Sequence, residues 1–241
     1  MFGLGMEVWS LILAVVAIVI GIPAIIFVIP QLWKSARALG IRRRIVVLGP
    51  VGAGKTSLVA YLQKEATPRK HRRTVGAVAK GRVALDLTGD KTLYFAAKEV
   101  VDVGGEFRNQ WTSAIEEYDP HAVIFVIDNS HHALELSGFE HLFDTYRAWT
   151  GERLNAYISL KTILVLINKA DLWATGGLAH EQQIMAACEQ RFAALADQFD
   201  SLLGVNILFG TTSLLHSRYN DQTNQHLRDL ASSLDAKRAQ R

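Results

Sequence analysis

Cysteine is nearly missing: Cys188 is the only one in 241 residues. That excludes an internal disulfide and any metal site built on paired thiolates. The helical pattern around Cys188 predicts a buried, small apolar side chain. Charge of one sign is lacking too. The net charge is +3 and the pI is near 9.0. So mild a bias is no argument for a nucleic-acid partner, and none is expected. No repeat recurs at solenoid periods, and no segment is low in complexity. No Lys or Arg precedes Lys34, and Val8 to Ile29 carries no charge at all.

That uncharged block holds much of the excess in a chain that is 49% hydrophobic. About 20 apolar residues at 1.5 Å each span the hydrocarbon core of a bilayer. Trp9 and Trp33 bracket the run, where interfacial aromatics belong. Gly21 and Pro23 lie inside it, and membrane helices tolerate both. A buried helix of a soluble core is the alternative, but such helices seldom run this long without a polar residue. A cleaved signal peptide is disfavoured, because no basic residue precedes the run and no clean cleavage site ends it. Lys34, Arg37, Arg42, Arg43 and Arg44 all follow it, so the positive-inside rule places the N-terminus outside and the rest in the cytoplasm. The expected organisation is an extracytoplasmic stub over 1–7, one transmembrane helix over 8–30, a basic connector over 31–42 and one domain over 43–241.

That domain is organised around Gly49-Pro50-Val51-Gly52-Ala53-Gly54-Lys55-Thr56, of the form G-x-x-x-x-G-K-[ST]. A short β-branched run, Arg44 to Gly49, precedes it, and Ser57 to Lys64 has helical spacing. The glycines therefore fall at a strand-to-helix turn, the context a phosphate-binding P-loop requires. Glycines let backbone N–H groups converge on an anion, and the helix N-terminus adds positive potential. Lys55 would reach the β- and γ-phosphates, and the Thr56 hydroxyl would ligate Mg²⁺. The alternative is an ordinary glycine-rich turn.

Downstream, Gly81–Leu87 and Thr92–Asp102 predict a hairpin around the turn Thr88–Lys91. His121–Asp128 and Lys161–Asn168 are near-continuous apolar runs, the mark of strands covered on both faces. Val205–Phe209 is a weaker third. Helical stretches fall near Gly138–Trp149, His180–Leu203 and Asn224–Ala239. This alternation predicts an α/β domain with a mostly parallel sheet and helices on both faces. Ligands on such sheets bind beyond the carboxyl ends of the strands. Three polar motifs lie there: Asp102-Val103-Gly104-Gly105, Asn168-Lys169-Ala170-Asp171 and Gly210-Thr211-Thr212-Ser213. Asp102 can hold the Mg²⁺ shell, and Gly105 can give a backbone N–H to the γ-phosphate. The Asp171 carboxylate would accept two hydrogen bonds from guanine N1 and N2, a donor pair that adenine lacks. Lys169 would lie along the base, and the loop at Thr212 and Ser213 would face guanine O6. Helix N-capping is the alternative for Asn168 and Asp171.

Taken together, these motifs resemble the small GTPases of the Ras superfamily, over roughly Arg43 to the C-terminus. Asp102 to Arg108, Trp111 and then Ala122–Asp128 look like the Arf branch. A membrane helix joined directly to such a domain also resembles the β subunits of signal recognition particle receptors. The resemblance implies a P-loop NTPase fold, GTP or GDP with Mg²⁺ as ligand, GTP hydrolysis, and a protein effector. It also implies a switch role for Thr74, 18 positions after Thr56. Thr74 would close over Mg²⁺ and the γ-phosphate in the triphosphate state and let go after hydrolysis. A polar loop residue is the alternative reading.

Two features depart from the family. Glu106 stands where the family usually has Gln to orient the attacking water, which predicts slow intrinsic hydrolysis. The segment between Thr74 and Asp102 is a few residues longer than in Arf proteins. Three readings follow: a membrane-anchored GTPase switch, a hydrolysis-poor GTP-binding receptor or scaffold subunit, and an ATP-using P-loop enzyme. Asp171 argues against the last. Other features carry less. The basic loop Arg69–Arg73 is either a lipid- or acid-binding patch or a solvated loop. His131 and His132 lack a third metal ligand at helical spacing. Phe107 and Trp111 are either a contact surface or core. Lys237, Arg238 and Arg241 read as a solvated helix end.

Overall fold

Ala122–Ile127 (β5) and Thr162–Ile167 (β6) are buried at every position, because both faces of the sheet they belong to are covered. The computed structural model describes residues 43–63, 77–79, 83–86, 94–103, 108–152 and 159–236. The remaining described strands are β1 (Arg43–Leu48), β2 (Ala77–Ala79), β3 (Val83–Asp86), β4 (Tyr94–Val103) and β7 (Asn206–Thr211). The described helices are α1 (Lys55–Leu62), α2 (Arg108–Tyr118), α3 (His132–Glu152), α4 (Ala170–Trp173), α5 (Leu178–Leu203) and α6 (Asn220–Ala236). A 3₁₀ turn, Ser217–Tyr219, precedes α6.

The strand order is β2-β4-β1-β5-β6-β7, and β3 also pairs with β4. Parallel ladders join β4 to β1, β1 to β5, β5 to β6 and β6 to β7. Only β2 and β3 run antiparallel, both against β4. The chain therefore builds outward from β1 in two directions. β1 is a topological switch point, where crevices open at the carboxyl end of a sheet.

Side chains alternate across the pleat, so neighbouring residues feed different cores. Ile45, Val47, Ile124, Val126, Leu164 and Leu166 pack against α1 and α6. Val46, Leu48, Val123, Phe125, Ile163 and Val165 pack against α2, α3 and α5. Phe139 is the hub of the second core, with ring centroids 5.3 Å from Phe125, 5.1 Å from Phe192 and 5.3 Å from Phe199. Edge-to-face and tilted pairs like these add to the apolar burial. Cys188 lies in this core, and burial pushes its thiol up to about 11. At the end of α5, Gly204 adopts φ 62°, and its N–H closes on the Asp200 carbonyl at 2.9 Å, which stops the helix.

The expected strands and helices are present, with ends shifted by a few residues. The hairpin of β3 with β4 is formed as expected. Four elements were not anticipated: β2, α2, the single-turn α4 and the 3₁₀ turn Ser217–Tyr219. α3 also begins earlier, at His132. Among the described residues no helix is long and apolar enough to cross a membrane. The proposed spanning run over 8–30 and the connector over 31–42 lie outside the described residues. So do the basic loop 69–73 and residues 237–241.

Candidate functional site

The loop after β1 curls around its own lysine. Lys55 Nζ donates to the carbonyls of Gly49 at 3.0 Å and Pro50 at 2.8 Å, and the residue is only 7% exposed. The turn depends on its glycines. Gly49 has φ 140°, and a Cβ there would sit 2.0 Å from the Val126 carbonyl oxygen of β5. Gly54, at φ 101°, is the residue from which α1 starts, and a Cβ there would lie 2.1 Å from Asn168 Nδ2. Val51 and Gly52 are exposed at the tip, and Ala53 is buried. Lys55, Thr56 and Ser57 open α1, so the N-terminal backbone N–H groups of that helix lie beside the lysine.

Asn168 joins this loop to the end of the sheet two strands away. It is 4% exposed. Its Nδ2 donates to the Ala53 carbonyl at 2.9 Å, and its Oδ1 accepts the Leu214 N–H at 3.4 Å. Its own carbonyl accepts Trp173 Nε1 at 2.9 Å. Lys169 takes the left-handed conformation, φ 61°, and stands at the N-cap position of α4 without a side-chain cap bond. Asn168 therefore does not cap α4, and Asp171 lies in its first turn. Ala170 donates its N–H to the Thr212 carbonyl at 3.0 Å, which fastens the loop after β6 to the loop after β7.

Two carboxylates mark this end. Lys169 Nζ pairs with Asp128 Oδ2 at 2.7 Å. Burial alone would raise the Asp128 carboxyl, but Lys169 and Ser130 outweigh it and hold it below the usual range. Asp171 Oδ1 accepts the Ser213 hydroxyl, and its Oδ2 pairs with His216 Nε2 at 3.1 Å. Behind them lies a buried polar network. Glu181 accepts from Thr211 and, at 2.7 Å, from Gln222, and the Thr212 and Thr223 hydroxyls bond each other.

The expected site residues divide as follows. Gly49, Pro50, Val51, Gly52, Ala53 and Gly54 form one turn at the carboxyl end of β1, and Lys55, Thr56 and Ser57 open α1 directly after it. Asn168, Lys169, Asp171, Thr212 and Ser213 form the adjoining loops of β6 and β7. Asn168 links the two groups. Asp102 is the partner of Val47 in the ladder between β4 and β1, which sets its backbone beside the strand that leads into the lysine turn. Thr74, Gly105 and Glu106 lie outside the described residues. Asp128 and His216 were not anticipated. Asp128 left a faint signal, an acid ending a buried strand. His216 left none, because its pairing exists only through space. Trp111 is core, 2% exposed, with its ring 5.8 Å from Phe125. Phe107 lies outside the described residues. His131 and His132 are exposed.

The Thr56 hydroxyl and the Asp102 carboxylate are hard oxygen donors, and Mg²⁺ is commonly held by one or two carboxylates plus phosphate oxygens. Among the described residues no three His, Cys, Asp or Glu side chains converge into a cage of their own.

No protein-family model matches the chain. The Ras-related protein Rab-5B of Plasmodium falciparum is 25% identical over 161 residues, 67% of this chain and 70% of that protein. A chain in the solved structure of the mammalian SRP receptor superposes with a TM-score of 0.53 at 16% identity, over 79% of this chain and the whole of that one. The fold is α/β, with a mainly parallel sheet flanked by helices, and is consistent with that of a P-loop GTPase. The sequence likeness, distant as it is, supports the same relation. The lysine turn, the ladder register of Asp102 and the Asn168 and Thr212 loops occupy one end of that fold.

Proposed function

We propose that this chain is a membrane-anchored small GTPase of Arf-like type. It binds GTP and GDP with Mg²⁺ and presents different surfaces to a protein partner at the cytoplasmic face of the membrane. The observation that carries this reading is Asn168. Its side chain ties the turn that wraps Lys55 to the loops that display Asp171 and Ser213. A phosphate site and a base site are thereby held at one fixed separation, as a nucleoside triphosphate needs.

Each residue has a task. The turn from Gly49 to Thr56 presents backbone N–H groups and the Lys55 ammonium to the β- and γ-phosphates. Binding would draw that ammonium from the loop carbonyls to the phosphates. Thr56, Thr74 and Asp102 would hold Mg²⁺, which when bound supplies positive charge to the phosphate oxygens. Asp171 would accept from guanine N1 and N2, Lys169 would lie along the base, and the Thr212–Ser213 backbone would face O6. Gly105 and Thr74 would sense the γ-phosphate.

Displacement of fluorescent GDP from the full-length protein tests the reading. GTP and unlabelled GDP should compete and ATP should not. Competition by ATP equal to that of GDP overturns the guanine assignment.

Glu106 supports a second reading, a GTP-binding receptor or scaffold subunit that hydrolyses poorly. A carboxylate can orient water but adds negative charge near a phosphate. Single-turnover GTP hydrolysis should be slow in the wild type and faster in Glu106→Gln. A fast, unassisted wild type argues against slow switching and against the scaffold reading alike.

A further inference from the structure

The Asp171 carboxylate is held at both oxygens by one turn of chain. Ser213 donates its hydroxyl to Oδ1, and His216 Nε2 meets Oδ2 at 3.1 Å. The two donors belong to a single tight turn, closed by the His216 N–H on the Ser213 carbonyl at 3.1 Å. The turn is fixed in turn: Leu214 donates its N–H to Asn168, and Tyr219 donates its N–H to the His216 carbonyl at 3.0 Å. The Asp171 side chain is 14% exposed, and His216 is 53% exposed.

A carboxylate offers about four acceptor sites, two on each oxygen. Ser213 takes one on Oδ1 and His216 takes one on Oδ2. One acceptor site remains on each oxygen, and guanine needs two, for N1–H and N2–H. A carboxylate rotates about its last single bond, and that rotation is broad. A donor on only one oxygen restrains it weakly. Donors on both oxygens, from one rigid turn, hold its plane. The bond needs the proton on Nε2, which the imidazolium and one of the two neutral tautomers carry.

We propose that His216 is a specificity-determining positioning residue for guanine: it clamps the Asp171 carboxylate so that both oxygens meet the base. This rests on the reading of Asp171 as the guanine acceptor. The His216 bond is made to the protein, not to the nucleotide, so its loss acts through Asp171.

The test is equilibrium titration of the full-length protein with fluorescent GDP and fluorescent xanthosine diphosphate, across four variants. His216→Ala should weaken GDP binding by about threefold to tenfold, the net worth of one ordinary hydrogen bond. His216→Gln, whose side-chain amide can donate to the same oxygen, should restore most of it. Asp171→Asn should weaken GDP and favour the xanthine nucleotide, and adding His216→Ala to it should not repeat the single variant's loss. A purely structural role for His216 would lower affinity equally in both backgrounds and would not be rescued by Gln. If His216→Ala binds GDP as tightly as wild type, or more tightly, the clamp is overturned while the guanine assignment stands. If Asp171→Asn leaves GDP binding unchanged, both are overturned.

Discussion

A single amide, Asn168, carries more of this site than any charged group does. Its two hydrogen bonds end on main-chain atoms, the Ala53 carbonyl and the Leu214 N–H. Both atoms are buried, so neither can turn to water when the amide is removed. A buried polar group left without a partner costs about 1–3 kcal/mol. Gly54 shows how tightly the amide is fitted, since a Cβ there would overlap Nδ2. Asn168→Ala should therefore lower unfolding stability in urea by about 2–4 kcal/mol, with two main-chain groups orphaned. It should also weaken GDP binding, because the two halves of the site lose their fixed separation. Asn168→Asp should be at least as harmful. A carboxylate cannot donate to the Ala53 carbonyl, and it brings a buried negative charge beside it. Equal stability of Asn168→Ala and wild type would show that the link is dispensable.

At the level of elements, α6 docks on β7 through an imidazole that must stay neutral. His226 Nε2 accepts the Thr211 N–H at 3.2 Å. Its ring fills the space above Gly210, where a Cβ would lie 2.5 Å from Cγ. Burial lowers the His226 pKa, with Asp229 and Glu181 pulling weakly the other way. Burial and the Arg44 charge lower that of His121 as well. A depressed histidine makes the unfolded chain the better proton acceptor, so stability is complete above the unfolded value of about 6.5 and is lost as pH falls toward the folded one. The urea midpoint should therefore drop between pH 7.5 and 5.5. His226→Gln should flatten part of that slope, and the His121 share should remain. A midpoint independent of pH over that range would contradict the coupling. The same pair of elements shows what a sequence can and cannot disclose. β5 and β6 were legible because burial on both faces leaves an unbroken apolar run. The lysine turn and the Asn168–Asp171 loop were legible because their spacings are local. β2, with three residues, is too short to alternate visibly, and α4 is one turn. α2 was hidden because only Trp111, Ala114 and Ile115 of its eleven residues are buried. His226 over Gly210 and His216 on Asp171 join segments that only the fold brings together.

For the whole molecule, the proposed function makes one claim that can be measured directly: an anchored chain whose proposed nucleotide site faces the cytoplasm. In the proposed function, the uncharged run over 8–30 is the membrane anchor. The proposed orientation rests on charge, because basic flanks resist translocation. The chain's own chemistry makes this unusually simple to measure. Cys188 is its only cysteine, it is buried, and its thiol is pushed up to about 11, so it carries almost no thiolate near neutral pH. Introduced cysteines therefore report without a background to remove. Leu4→Cys should react with a membrane-impermeant maleimide in intact cells. Ser232→Cys, on an exposed position of α6, should react only after the membrane is opened. The reverse pattern would place the domain outside, away from the nucleotide pool, and with it would go the GTPase reading. Labelling of both sites in intact cells would show that the apolar run does not span at all.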